Sequence, residues 1–317
     1  MTPRGGADLE VNLAGIRLAN PVLVASGTFG YGREMVRWFD LRRVGGIITK
    51  GTTLAPRAGN PPPRIAETPA GLLNSIGLEN PGVDAVVREE IPFLREFGIP
   101  VIVNIAGETV EEYAALAAKL DRVEGVAGLE VNVSCPNVRA GGMAFGTDPL
   151  ATAAVVRAVR NATSLPVMVK LTPNVTDIVA IARAAQEAGA DAISLINTLK
   201  GLAIDVRGHR PLLGAVTGGL SGPAIKPVAL RMVWEVAGAI DVPILGCGGI
   251  MTGLDAVEFL MAGASAVAVG SATLVDPLAA PRIVEEIAAY LEEEGFARVG
   301  DLVGLARRTL AGGGENS

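Results

Sequence analysis

A (β/α)8 barrel of the TIM type, an α/β fold, is what this sequence predicts, on three observations. Short runs rich in Val, Ile, Leu and Ala recur eight times, each bounded by Gly, Pro or Asn, and helix-like stretches separate them. Most of these runs are apolar at successive rather than alternate positions, as parallel strands covered on both faces require. The length, 317 residues, a little above the roughly 250 of a typical barrel, leaves room for insertions.

In chain order the predicted strands are 22–27, 46–50, 100–106, 128–134, 166–171, 192–197, 243–248 and 266–270. The predicted helices are 34–43, 83–97, 110–123, 149–161, 175–188, 224–239, 254–261 and 277–294. Strict alternation of the two suits a closed barrel better than an open doubly wound sheet. Three insertions interrupt it. Segment 51–81 is punctuated by Asn60-Pro61-Pro62-Pro63, which predicts a loop or small hairpin rather than a crossover helix. Segment 136–148 carries Gly141, Gly142 and Gly146, and segment 199–223 carries Gly201, Gly208, Gly214, Gly218, Gly219 and Gly222. Each follows a strand, so in a barrel all three gather as long loops over the C-terminal mouth, where active sites are built. No linker divides the chain, which predicts one barrel domain over 1–317 with loose ends at about 1–8 and 311–317.

Composition narrows the function. Half the residues are hydrophobic and only 19% are charged, which rules out disorder as the main state. Lys and Arg number 27 against 33 Asp and Glu, and a net charge of −6 disfavours a nucleic-acid partner. The forty glycines follow no period, which excludes a collagen-like chain. Two cysteines, Cys135 and Cys247, cannot build a disulfide framework. The first residues, Met1 to Gly6, carry no apolar signal segment. The uncharged stretch 259–275 is broken by Gly263 and Gly270 and falls short of a membrane span. A cytoplasmic globular protein is the expectation.

Polar residues at the ends of apolar strands mark the chemistry. Of five lysines, Lys50 and Lys170 close strands. Either could be an internal ion pair or a snorkelling side chain, but a place at the barrel mouth favours contact with an anionic ligand. Asn104, Asn132 and Asn197 sit at similar heights, and buried amides either tie loops together or read a polar heterocycle. Cys135, where the fourth strand meets a glycine-rich loop, suits a catalytic thiol, whereas Cys247 is expected to be a small buried hydrophobe. One histidine, His209 in a polar loop, leaves neither a metal cluster nor a Ser-His-Asp triad. The last strands end in Gly248-Gly249-Ile250 and Gly270-Ser271-Ala272, where backbone N–H groups can approach a phosphate. Flavin mononucleotide fits this layout; pyridoxal phosphate or a sugar phosphate remains open at this point.

The motifs Ala25-Ser26-Gly27-Thr28-Phe29-Gly30, Leu73-Asn74-Ser75-Ile76-Gly77-Leu78-Glu79-Asn80, Asn132-Val133-Ser134-Cys135-Pro136-Asn137 and Gly248-Gly249-Ile250 resemble the dihydroorotate dehydrogenase family. The resemblance runs from about Val11 to the C-terminal helices, and Gly141 to Pro149 is similar to the family's class 1B catalytic subunits. It implies oxidation of (S)-dihydroorotate to orotate in pyrimidine synthesis, with one FMN per chain. Cys135 would be the general base and Lys50 would lie between substrate and flavin. Asn74, Ser75, Ile76, Gly77, Leu78, Asn132, Asn137, Asn197 and Thr198 would hold substrate with Lys50. Ser26, Lys50, Gly51, Asn104, Asn132, Lys170 and Ile196 would contact the flavin, with Gly222, Gly248, Gly249, Gly270 and Ser271 nearer ribityl and phosphate. The resemblance also implies a homodimer flanked by partner subunits carrying FAD and a 2Fe–2S cluster, a heterotetramer that passes electrons to NAD; this chain has too few cysteines for the cluster. A fumarate-using class 1A enzyme, a dihydropyrimidine dehydrogenase-like barrel, a tRNA dihydrouridine synthase and a non-catalytic phosphate-binding barrel are the rivals.

Overall fold

The computed structural model describes residues 6–134 and 145–312. Eight parallel strands, β1 (Val22–Val24), β2 (Gly46–Ile48), β3 (Val101–Ile105), β4 (Val126–Asn132), β5 (Val167–Lys170), β6 (Ala192–Leu195), β7 (Ile244–Cys247) and β8 (Ala266–Val269), close into a barrel in chain order. The ring is completed by β8 against β1, with Val267, Ala268 and Val269 opposite Val22, Leu23 and Val24. Each strand falls inside or beside its predicted run.

Continuous apolarity has the expected cause. Alternate residues of each strand feed two different cores. Val22, Val24, Ile47, Val103, Val169 and Val267 pack outward under the helices. Leu23, Ile48, Ile102, Met168, Leu245 and Ala268 fill the lumen. An N-terminal hairpin, Val11–Leu13 and Ile16–Leu18, presses Leu13, Ile16 and Leu18 into the same lumenal cluster and plugs the bottom of the barrel.

The outer layer is α1 (residues 83–95), α2 (Val110–Leu120), α3 (Pro149–Ala162), α4 (Ile178–Glu187), α5 (Lys226–Ala237), α6 (Gly253–Ala262) and α7 (Ala279–Glu294). Their starts are read by side chains: Thr109, Asp148 and Asp177 each accept a backbone N–H of the first turn, and Thr252 forms a capping box with Asp255. Within α1, Val86–Glu90 is π-helical just ahead of Pro92, which has no N–H to return to the preceding turn. The predicted helix at 34–43 is instead two 3₁₀ turns, Met35–Arg37 and Leu41–Arg43. Asp40 separates them: it is extended, and its carboxylate accepts the Arg42 N–H at 3.0 Å, which starts a new turn rather than continuing the old one.

The insertions meet above the mouth. Ile65–Thr68 and Gly71–Asn74 form the expected hairpin, and Leu199–Gly201 with Gly218–Ser221 extend it to a four-stranded antiparallel sheet. Glycine is obligatory at one crossing: a Cβ on Gly219 would sit 1.9 Å from Thr198 Oγ1. The N-terminal end is tied at Asp8, whose N–H donates to the Ala297 carbonyl at 2.9 Å while its carbonyl accepts the Val299 N–H at 2.8 Å. At the other end the helix Leu305–Gly312 carries order to residue 312. The remaining expected loose ends, 1–5 and 313–317, lie outside the described residues, as does most of the glycine-rich 136–148 insertion. Among the described residues no helix is long and apolar enough to cross a membrane.

Candidate active site

Toward the C-terminal end of the barrel the apolar filling of the lumen stops and a polar layer begins. Asn104 from β3, Glu130 and Asn132 from β4, Lys170 from β5, Ser194 from β6 and Cys247 from β7 are all buried there. Glu130, level with Asn104 in the strand register, has no exposed surface. Its Oε2 accepts the Asn104 side-chain N–H at 2.6 Å, and its Oε1 stands 3.8 Å from Lys170 Nζ. Lys170 therefore satisfies both readings of a buried strand-end lysine: it is ion-paired below and faces a cavity above. Burial pushes its pKa down, but Cys247 and Glu130 push it up further, and the net direction is upward.

That cavity, of 530 Å³, opens between the polar layer and the antiparallel sheet, within the roughly 300–1,000 Å³ of small-molecule sites. Around it the amides form a connected rim. Asn132 Oδ1 accepts from the Ser134 hydroxyl at 2.6 Å, and the Asn197 side-chain N–H donates in turn to Ser134 Oγ. Tyr113 of α2 donates to the Asn132 carbonyl at 2.8 Å, anchoring the end of β4 from outside. Across the mouth, Asn74 donates to the Gly219 carbonyl at 3.2 Å. The segment 76–78 curls over the rim with Leu78 at a φ of 56°, a left-handed conformation that costs of order 1–3 kcal/mol. Asn80 holds it there, donating to the Leu78 carbonyl at 2.7 Å while accepting the N–H of Gly82 at 2.9 Å.

Opposite the amides lies a glycine-lined wall. Gly249 has φ 78°, and a Cβ on it would approach the Lys226 backbone N to 2.7 Å. Gly270 differs, because its Cβ would meet only the Ala25 Cβ at 3.7 Å. We expect Gly249→Ala to destabilise the fold by about 1–3 kcal/mol and Gly270→Ala to stay within about 0.5 kcal/mol. Urea denaturation midpoints at unchanged slope measure both; equal midpoints would contradict the packing described.

Every sequence-predicted site residue that is described lines this one cavity: Ser26, Lys50, Gly51, Asn74 to Leu78, Asn104, Asn132, Lys170, Ile196 to Thr198, Gly222, Gly248, Gly249, Gly270 and Ser271. Cys135 and Asn137 lie outside the described residues, directly after Ser134 and Pro136. Cys247 is buried as expected, yet it also lines the cavity, and His209 is exposed on its loop. Sequence reasoning passed over Thr172, Asn174 and Lys200. Asn174 ties them together, donating to Thr172 Oγ1 at 2.9 Å and accepting the Lys200 N–H at 2.9 Å. The available signal was the one that found Asn197, polar residues just beyond a strand.

The electrostatics are one-sided. Among the described residues Lys50, Lys170 and Lys200 line the cavity and no Asp or Glu does, in a chain whose net charge is −6. Lys119 and Lys226 are engaged elsewhere, with Asp84 and with Asp255 and Glu258, whereas Lys50 and Lys200 form no ion pair among the described residues. Such a pocket concentrates anions. No group of His, Cys, Asp and Glu among the described residues could hold a metal.

Residues 8–291 match the family model described as dihydroorotate dehydrogenase. A protein of Geotalea uraniireducens (strain Rf4), named dihydroorotate dehydrogenase B (NAD(+)), catalytic subunit, is 60% identical over 300 residues, 95% of this chain and 98% of its own length. A protein of the same name from Desulforudis audaxviator (strain MP104C) is 60% identical over 299 residues, covering 94% and 97%. One from Geobacter sulfurreducens (strain ATCC 51573 / DSM 12127 / PCA) is 59% identical over 297 residues, again covering 94% and 97%.

Proposed function

The chain belongs to the dihydroorotate dehydrogenase family, and we propose that it oxidises (S)-dihydroorotate to orotate in pyrimidine synthesis as an FMN-dependent class 1B catalytic subunit. The observation that carries this reading is the cavity, which among the described residues unites three lysines, a rim of amides and a glycine wall with no carboxylate. Substrate and cofactor are both anions, one through a carboxylate and the other through a phosphate. The name shared by the relatives specifies NAD(+), which favours that acceptor over fumarate.

The residues present fit FMN. Asn104 Oδ1, Thr28 Oγ1 and Ser75 Oγ are buried side-chain atoms without partners among the described residues, as expected of groups that await a polar ligand. Ser26, Gly51, Asn104, Asn132, Lys170 and Ile196 would hold the ring system, and Gly222, Gly248, Gly249, Gly270 and Ser271 the ribityl chain and phosphate. When bound, FMN supplies the acceptor for the hydride that leaves C6 of the substrate. Cys135 would take the C5 proton; Ser134, the residue before it, accepts from Asn197 and donates to Asn132. Asn74 to Leu78, Asn132, Asn137, Asn197 and Thr198 would orient the substrate's amides and carboxylate, with Lys50 between it and the flavin. Lys170 offers a fixed ammonium where negative charge develops, worth more in a buried site than in water.

The same reading includes a cytoplasmic homodimer joined by subunits carrying FAD and 2Fe–2S, since two cysteines cannot ligate a cluster here. The test is a visible spectrum of the purified chain under anaerobic conditions, before and after dihydroorotate. A flavin band that bleaches is expected; a flavin that stays oxidised would overturn the substrate, and failure to take up FMN would overturn the cofactor. NAD reduction should require the partner, and equal NAD reduction by the chain alone would contradict the class assignment.

A further inference from the structure

We propose that Glu130 is a positioning residue of this site: from beneath the cavity its carboxylate holds the Lys170 ammonium in place and fixes the Asn104 amide with its carbonyl toward the ligand. Glu130 is fully buried in the middle of β4, a costly place for a carboxylate unless it is paired and hydrogen-bonded. It stands opposite Asn104 in the β3–β4 register, and β5 brings Lys170 to its other side. Its two oxygens divide the work, Oε2 accepting from Asn104 Nδ2 at 2.6 Å and Oε1 standing 3.8 Å from Lys170 Nζ.

The consequence for Asn104 is one of polarity. An amide has a donor end and an acceptor end, and an ionised carboxylate only accepts. The NH2 group donates down to Glu130 Oε2, which leaves Oδ1 buried, without a partner among the described residues and available to a ligand. A ligand that satisfies this floor brings an N–H donor to Asn104 and an acceptor or negative edge to Lys170. Without Glu130 the amide could turn over and Lys170 would lose one of the two groups that offset its burial.

Among the described residues the charged and titratable groups that act on Lys170 are Glu130 from β4 and Cys247 from β7, and both favour the ammonium against its burial. A buried ion pair is weak evidence of stabilisation, because apolar residues of similar volume often serve as well. What apolar residues could not supply here is an acceptor for Asn104 and a counter-charge for Lys170 at once.

The experiment is a ¹³Cε lysine NMR titration of the flavin-free chain and of Glu130→Gln, followed by FMN affinity against pH for both. Only five lysines contribute signals, and Lys170→Met identifies the one that matters. In the unsubstituted chain Lys170 should stay an ammonium to above the ordinary lysine value of about 10.4. In Glu130→Gln its titration should fall below that value. FMN affinity should then drop by up to roughly tenfold for each pH unit above the lowered midpoint, while the unsubstituted chain holds level. Glu130→Asp, which restores the charge, should recover the ammonium. The proposal is overturned if Lys170 titrates below the ordinary value in the unsubstituted chain, or if Glu130→Gln moves neither readout. The titration of the unsubstituted chain needs neither flavin nor a variant. A chain that binds no FMN would therefore sink the proposed function while the lysine signal still decides the part played by Glu130.

Discussion

Cys135→Ser should keep its flavin and lose about 10²–10⁴-fold in turnover near neutral pH, the usual contribution of a positioned general base. The substitution changes one atom, so binding surfaces and charge are little altered. What changes is basicity: a free thiol ionises near pH 8.5, within reach of modest tuning, whereas a hydroxyl ionises far above it. Residual turnover of the variant should climb with pH, as hydroxide in bulk water replaces the missing base. Stopped-flow bleaching of the flavin by dihydroorotate isolates this step from electron transfer onward. Near-normal bleaching at pH 7 would remove Cys135 from the proton transfer.

Lys170→Met should be the most damaging change to the fold among the site residues. Methionine matches the reach of lysine, so the effect read is that of charge rather than of an empty volume. Glu130, with no exposed surface, is then left with Asn104 as its only polar partner among the described residues. Breaking a buried pair from one side costs about 3–5 kcal/mol, a large share of the about 5–15 kcal/mol that holds a domain together. The pH dependence follows from the upward direction of the Lys170 pKa. Its contribution is fully present below the unfolded lysine value of about 10.4 and is lost as pH rises through the higher folded value. The deficit of Lys170→Met should thus be flat from neutral pH to about 9 and narrow only in strong alkali. Urea unfolding across that range measures it, and a deficit below about 1 kcal/mol would mean that the pair contributes nothing to the fold.

The barrel was legible because its strands carry their burial on both faces, so that Val167 and Val169 look outward and Met168 inward within one apolar run. The mouth was legible for a related reason. Lys50, Asn104, Asn132 and Lys170 are polar interruptions of such runs, and a buried polar group needs a partner. Glu130 is the same signal, a charge between Leu129 and Val131, and it was missed because it sits mid-strand rather than at the end. The short 3₁₀ turns at 35–43 were misread as a helix because Asp40 occupies a position that an apolar period tolerates. The sheet over the mouth was only half visible. Its hairpin is local, but pairing of Leu72 with Ser221 and of Asn74 with Gly219 joins segments far apart in the chain, and glycines carry no side-chain alternation to announce a strand.

The closure of β8 on β1 has a consequence for how the chain comes off the ribosome. Residues 22–24 emerge long before their partners at 267–269 are made. Until then the growing sheet has two bare edges, and unpaired strand edges invite pairing with other chains. The plug of Leu13, Ile16 and Leu18 is also synthesised before the lumen it fills exists. Contacts of such long sequence separation fold slowly. The nascent protein therefore carries open sheet edges until residues 267–269 have been made, and chaperones that shield such edges have their task on this chain in that interval.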